Sequence, residues 1–74
     1  MLRLDSVNKK IAERGIKAEL VKGDGYFYFV GDDLGLEYTS SVMVNRLNQL
    51  TLNQWMEELD AKIAEHKERL SMQG

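Results

Sequence analysis

The stretch Tyr26-Phe27-Tyr28-Phe29-Val30 decides the fold of this chain. Five consecutive aromatic or β-branched residues, bounded by Gly25 and Gly31, are typical of a β-strand. Successive side chains in a strand point to opposite faces, so Phe27 and Phe29 share one face and the two tyrosines share the other. Because neither face carries a charged residue, we expect this strand in the centre of a small sheet, with the phenylalanines toward the core.

A β-hairpin is predicted on the N-terminal side of this strand. Residues 17–22 have strand character, and Asp24-Gly25 is a sequence that favours a two-residue turn of type I′. The resulting register has three pairs: Lys22 with Phe27, Val21 with Tyr28, and Leu20 with Phe29. A turn at Gly23-Asp24 would instead shift the pairing by two residues and leave the faces unchanged.

The N-terminal helix is predicted over about Asp5 to Arg14. Either Asp5 or Ser6 is a suitable N-cap, because both side chains can accept a hydrogen bond from a free backbone amide of the first turn. Gly15 is expected to end the helix in the left-handed conformation. Ile16 would then fold back onto the last turn, as in a Schellman ending.

A long C-terminal helix is predicted from Leu52 to about Leu70. It begins with a capping-box pattern, Thr51 followed by Gln54, and contains no Gly or Pro. One stripe recurs at helical spacing: Leu52, Trp55, Met56, Leu59, Ile63, His66 and Leu70. At ~1.5 Å per residue the helix is almost ~30 Å long, whereas a five-residue strand spans only ~17 Å. We therefore expect the helix to extend beyond the sheet, with residues 71–74 frayed.

The remaining segments complete a single α+β domain over residues 1–74. Residues 31–40 are predicted as a loop, and Ser41 to Val44 as a third strand beside the central one. Residues 45–50 form a turn with Leu47 and Leu50 pointing inward. The expected architecture is a small two-layer sandwich: one short helix, a three-stranded antiparallel sheet and one long helix, in the order αβββα.

Composition and charge exclude several classes of protein. The chain has 74 residues, 43% of them hydrophobic and 30% charged, with a net charge of −2 and no cysteine. Nucleic-acid binders normally concentrate Lys and Arg on one face, which an interspersed, slightly acidic chain does not favour. No apolar run approaches the ~20 residues of a membrane span, and the N-terminus lacks the apolar core of a signal peptide. A cytoplasmic location is expected.

The sequence offers no arrangement typical of an enzyme or a metal site. His66 is the only histidine, and without a cysteine or a second histidine it has no evident catalytic partner or zinc co-ligand. Asp32-Asp33 is interpreted as a solvated turn rather than a calcium loop, since strand residues occupy the positions of an EF-hand's ligands. The glycines around Asp24 precede a strand, not a helix, and so do not predict a phosphate loop. We expect no cofactor and no metal.

The side of the central strand opposite the phenylalanines is the main candidate for binding. This tyrosine face comprises Val21, Tyr26, Tyr28 and Val30, with Tyr38 nearby. Tyrosine is enriched at protein interfaces, and monomers rarely leave such a patch open. The alternative is that Leu34, Leu36 and Tyr38 of the loop fold over it. A second candidate surface is the protruding end of the last helix, at Ile63, His66 and Leu70.

Three segments resemble sequences in small uncharacterised phage and prophage proteins: Tyr26-Phe27-Tyr28-Phe29, residues 41–48 and residues 50–55. They cover about the middle half of the chain. That family has no assigned activity, so the resemblance implies only a compact accessory protein that acts by binding.

The sequence therefore predicts a non-enzymatic protein-interaction domain, an accessory or adaptor protein that self-associates as a homodimer. The alternative hypothesis is a nucleic-acid-associated accessory factor that binds single strands on the tyrosine face.

Overall fold

The computed structural model describes residues 2–34 and 40–73. Its elements confirm the predicted α+β fold with a helix at each end of a three-stranded sheet. Two 3₁₀ turns, at Asp32–Leu34 and Leu47–Gln49, flank the third strand. The helices and strands are α1 (Leu4–Glu13), β1 (Glu19–Lys22), β2 (Phe27–Val30), β3 (Ser40–Val42) and α2 (Leu52–Gln73).

The sheet is antiparallel in the order β1-β2-β3, so β2 is central as expected. The predicted hairpin register is confirmed at all three pairs, and β3 aligns Val42 with Phe27. The predicted register therefore separates the two faces correctly. The third strand begins one residue earlier and ends two residues sooner than the predicted span from Ser41 to Val44.

The turn of the hairpin is in the predicted place, but its predicted type is wrong. Type I′ requires a positive φ at both central residues. Gly25 has φ 80°, whereas none of the described non-glycine residues has a positive φ, and Asp24 is among them. The Gly23 N–H donates to the Tyr26 carbonyl over 2.8 Å and closes the hairpin. One glycine in the left-handed region is thus enough to reverse the chain here.

The core lies on the phenylalanine side of the sheet, as predicted. Phe27 and Phe29 are buried and meet the indole of Trp55 edge-on, with ring centroids 5.4 and 6.2 Å apart. The indole N–H donates to the Leu47 carbonyl over 2.8 Å, so its one polar group is satisfied. The other members of the core are Val7, Ile11, Leu20, Leu34, Val42, Met56 and Leu59. Both helices therefore cover the same face.

The end of α1 agrees with the prediction and its start does not. The Ile16 N–H donates to the Ile11 carbonyl, and the Gly15 N–H donates to the Ala12 carbonyl. With Gly15 at φ 73°, these bonds form the predicted Schellman ending. At the start, the extended residue is Arg3, which has no side-chain cap. Its carbonyl already accepts the first helical bonds, so the predicted caps, Asp5 and Ser6, lie inside the first turn.

The predicted capping box at the start of α2 is confirmed. The Thr51 N–H donates to Gln54 Oε1 over 2.8 Å, and the Gln54 N–H donates to Thr51 Oγ1 over 3.1 Å. The predicted end was too early, because residues 71–73, expected to fray, are helical. No glycine interrupts this segment, and Arg69 pairs with Glu65 over 3.0 Å across the preceding turn.

The outer edge of β1 is closed by a side chain from α1. Leu20 of β1 lies opposite Phe29 of β2. On its other side, the side-chain amide of Asn8 donates to the Leu20 carbonyl over 3.0 Å and accepts from the Leu20 N–H over 2.6 Å. One asparagine thus occupies both hydrogen-bonding groups at the middle of an edge strand and fixes α1 against the sheet. Sequence analysis did not single out this residue, whose role depends on a contact between two elements.

Replacement of Asn8 by Ala should reduce the free energy of unfolding by about 1–3 kcal/mol, because the partly buried Leu20 amide and carbonyl lose their partners. Urea denaturation measures this change. The exposed Asn53 in α2 provides a matched control, and Asn53→Ala should stay within about 0.5 kcal/mol of the parent. Equal effects of the two substitutions would contradict a structural role for Asn8.

Phe29→Ala should cost about 3–5 kcal/mol, since the ring is fully buried against Trp55 and its loss leaves a cavity. A loss of this size is comparable with the whole stability of many small domains. Thermal melting followed by circular dichroism measures it, with Val30→Ala on the opposite face as the control. A melting temperature within a few degrees of the parent would contradict the assigned core.

Candidate interaction surface

The tyrosine face lies opposite both helices. Its four described residues (Val21, Tyr26, Tyr28 and Val30) are all half-buried, and none belongs to the buried core. The structure therefore brings together the part of the predicted surface that lies on β1, β2 and the hairpin turn. These side chains form an uncharged aromatic and aliphatic patch.

The ring of Tyr26 is used by the hairpin itself. A Cβ atom added to Gly23 would lie 2.7 Å from Cζ of Tyr26, so the ring lies directly over the glycine. This arrangement is a known way for an aromatic residue to cover the exposed backbone of a glycine on the neighbouring strand. The Tyr28 ring follows, with its centroid 5.9 Å from that of Tyr26 and a tilt of 36°. Of the two tyrosines, Tyr28 is therefore the one whose ring does not cover the turn.

The alternative in which the loop covers the tyrosine face is wrong for Leu34. This side chain is 1% exposed and belongs to the core with Phe29 and Trp55, on the other side of the sheet. The 3₁₀ turn that carries it packs against α2. Leu36 and Tyr38, the other two residues of that alternative, lie outside the described residues.

The carboxylate of Asp33 has a structural partner. Asp33 Oδ2 accepts from the backbone N–H of Lys17 over 2.7 Å, and the backbone N–H of Asp33 donates to the Lys17 carbonyl over 3.2 Å. Gly31 permits this close crossing, because a Cβ there would overlap the Lys17 carbonyl oxygen. Within residues 2–34 and 40–73, no group of three or more acidic or histidine side chains is arranged to hold a metal ion.

The predicted stripe of α2 changes from buried to exposed along the helix. Leu59 is fully buried and Ile63 is half-buried against the core, whereas Leu70 is 56% exposed. His66 is half-buried between them. The second predicted surface therefore has only Leu70 exposed, with Ile63 and His66 half-buried. It is separate from the tyrosine face because α2 packs on the phenylalanine side.

Met43 is an exposed apolar residue that sequence analysis did not include in the surface. It follows β3 directly and is 79% exposed, while its neighbours Val42 and Val44 are buried and half-buried. The sequence could have indicated it, since alternation in the predicted third strand already places Met43 on the other face of the sheet from Val42 and Val44.

Comparison with known proteins finds no family model, no curated protein and no solved structure that matches this chain. The resemblance to small phage and prophage proteins stays a prediction. No helix in the described part of the chain is long and apolar enough to cross a membrane.

The contact between Gly23 and Tyr26 predicts that the two residues are energetically coupled. Gly23→Ala should destabilise the parent, because its methyl group displaces the tyrosine ring. In a Tyr26→Ser background the same change should cost less, which gives a coupling free energy of about 0.5–3 kcal/mol. Urea denaturation of the four proteins in this double-mutant cycle measures the coupling.

The control is the same cycle with Val30→Ala in place of Tyr26→Ser. Val30 is at the far end of β2, so the effects should add within about 0.5 kcal/mol. If the changes in unfolding free energy were additive in both cycles, the position of the Tyr26 ring over Gly23 would be contradicted.

Proposed function

We propose that this chain is a small non-enzymatic protein-interaction domain whose tyrosine face binds a second copy of the same chain. The observation that supports this best is an uncharged patch of two tyrosines and two valines on the side of the sheet that neither helix covers. Tyrosine gives a large contact area at low entropic cost, because its side chain has only two rotatable angles. We place this activity in the cytoplasm, as an accessory role.

The composition of the face favours a second copy over a charged partner. In a twofold symmetric dimer the same patch meets itself, so any charge at its centre would face a like charge. Val21, Tyr28 and Val30 carry no charge, and the exposed Glu19 lies at the end of β1. The four residues of the patch can therefore meet their own copy without facing a like charge, as long as Glu19, which pairs with Val30 on the same face, stays at the solvated margin.

The size of the face sets the expected affinity. Two strands of four residues and one of three, spaced ~4.8 Å apart at ~3.3 Å per residue, cover a flat area of roughly 170 Å². Stable protein–protein interfaces bury about 800 Å² on each partner. Even with protruding side chains, the sheet alone gives a small interface, so we expect a weak, concentration-dependent dimer.

The tyrosine face has little in common with a single-strand nucleic-acid site. Aromatic platforms of that kind combine free ring faces with a basic groove. Here the Tyr26 ring already covers Gly23, and the described strand positions on this face include Glu19 but no Lys or Arg. The nucleic-acid alternative therefore ranks below self-association.

Sedimentation equilibrium across about 10–1000 µM should show a mass that rises with concentration above the 8.5 kDa of one chain. Tyr28→Ser should keep the protein monomeric over this range, because it removes from the interface the tyrosine ring that does not cover Gly23. Circular dichroism should show an unchanged fold, since Tyr28 lies outside the core.

Leu70→Ser is the matched control, because it removes the exposed apolar side chain at the end of α2 and should leave the dimer intact. A dimer lost in Leu70→Ser but kept in Tyr28→Ser would assign self-association to the end of α2. A mass of one chain at every concentration would contradict the proposal.

A further inference from the structure

A groove of about 420 Å³ lies on the phenylalanine side of the sheet, at the end where the hairpin turns. Three separate segments form it: the start of the chain with α1, the end of the hairpin, and the turn after β3. Because it opens on the side opposite the tyrosine face, its use does not depend on self-association. Its lining residues are Leu2, Leu4, Lys22, Phe27, Asn45, Arg46, Leu47 and Asn48.

The rim of this groove is positively charged in an acidic chain. Lys22 and Arg46 are both exposed, and neither forms an ion pair with any residue in 2–34 or 40–73. None of the lining residues is acidic, although the whole chain has a net charge of −2. The side-chain amides of Asn45 and Asn48 are also exposed, and they form no hydrogen bond within the described part of the chain. Two cations and two amides thus face one opening without partners.

The floor of the groove is aliphatic. Leu2, Leu4 and Leu47 are half-buried and pack against the core, whereas Phe27 is only 3% exposed. Phe27 meets the Trp55 indole, so its face is not free for a nucleobase to stack on. This argues against a nucleotide, because sequence-tolerant binding of bases relies on open aromatic faces.

We propose that the groove binds a short acidic peptide segment of a partner protein. The guanidinium of Arg46 presents a planar fork that matches a carboxylate, and Lys22 adds a second positive charge. An aliphatic side chain of the peptide lies on the leucine floor.

The two asparagines select a peptide over other anionic molecules with an apolar part. Each amide side chain offers a donor and an acceptor, which are the groups that a peptide backbone presents in return. A fatty acid chain offers neither a donor nor an acceptor to the two amides, so it gains no affinity from them. The volume is within the roughly 300–1000 Å³ typical of ligand sites.

The test uses a fluorescein-labelled hexapeptide of alternating glutamate and leucine, with fluorescence polarisation at low salt. It should bind, while a hexapeptide of alternating lysine and leucine should not. The double variant Lys22→Glu, Arg46→Glu should weaken binding about tenfold or more, because attraction becomes repulsion at both positions. Arg46→Gln alone should weaken it about threefold, and this exposed single change answers the question if the double variant fails to fold.

The matched control is Lys9→Glu, Lys10→Glu, which changes the net charge equally on the exposed side of α1 and should alter binding less than twofold. If this control lost as much peptide binding as Lys22→Glu, Arg46→Glu, the effect would come from net charge, and the proposed site would be overturned. Equal binding of the lysine–leucine peptide would overturn the charge selectivity. Displacement of the peptide by a twelve-residue oligothymidylate, with the same loss in the Lys22 and Arg46 variants, would assign the groove to nucleic acid and overturn the proposal.

Discussion

The contact of one indole with two phenylalanines organises this small protein. Trp55 meets Phe27 and Phe29 edge-on, a geometry that the charge distribution of aromatic rings favours, and it is fully buried. Its N–H would be a costly buried donor without the Leu47 carbonyl at 2.8 Å. A single side chain therefore connects α2, β2 and the turn after β3, and the position of each depends on the other two.

This arrangement separates the two candidate binding surfaces. Because Trp55 holds α2 over the phenylalanine side, the tyrosine side receives no helix. The same contact builds the groove, since Phe27 and Leu47 both line it and both touch the indole. The surfaces therefore lie on opposite sides of one core, and a molecule bound at one leaves the other accessible.

Local patterns in the sequence were sufficient for the fold but not for every contact. Alternation in Tyr26–Val30 and the glycines beside it predicted the register, because strand faces follow from a period of two. The tyrosine face follows from the same alternation. Asn8 could not be predicted in this way, since its bonds to Leu20 join residues that are 12 positions apart. The groove depends on three segments that only the folded chain brings together, so no single stretch indicates it.

Asn8 also makes the two edges of the sheet unequal. On β1 it occupies the outward backbone groups of Leu20, whereas within the described residues no strand lies beyond β3. Strand addition by another chain is therefore hindered at the middle of β1, whereas β3 has no such block among the described residues. Two copies joined along β3 would form six strands with β1 at both ends, and each end would carry an occupied Leu20 at its middle. One asparagine amide thus works against further strand addition at the outer edges, the open-ended pairing that leads to fibres.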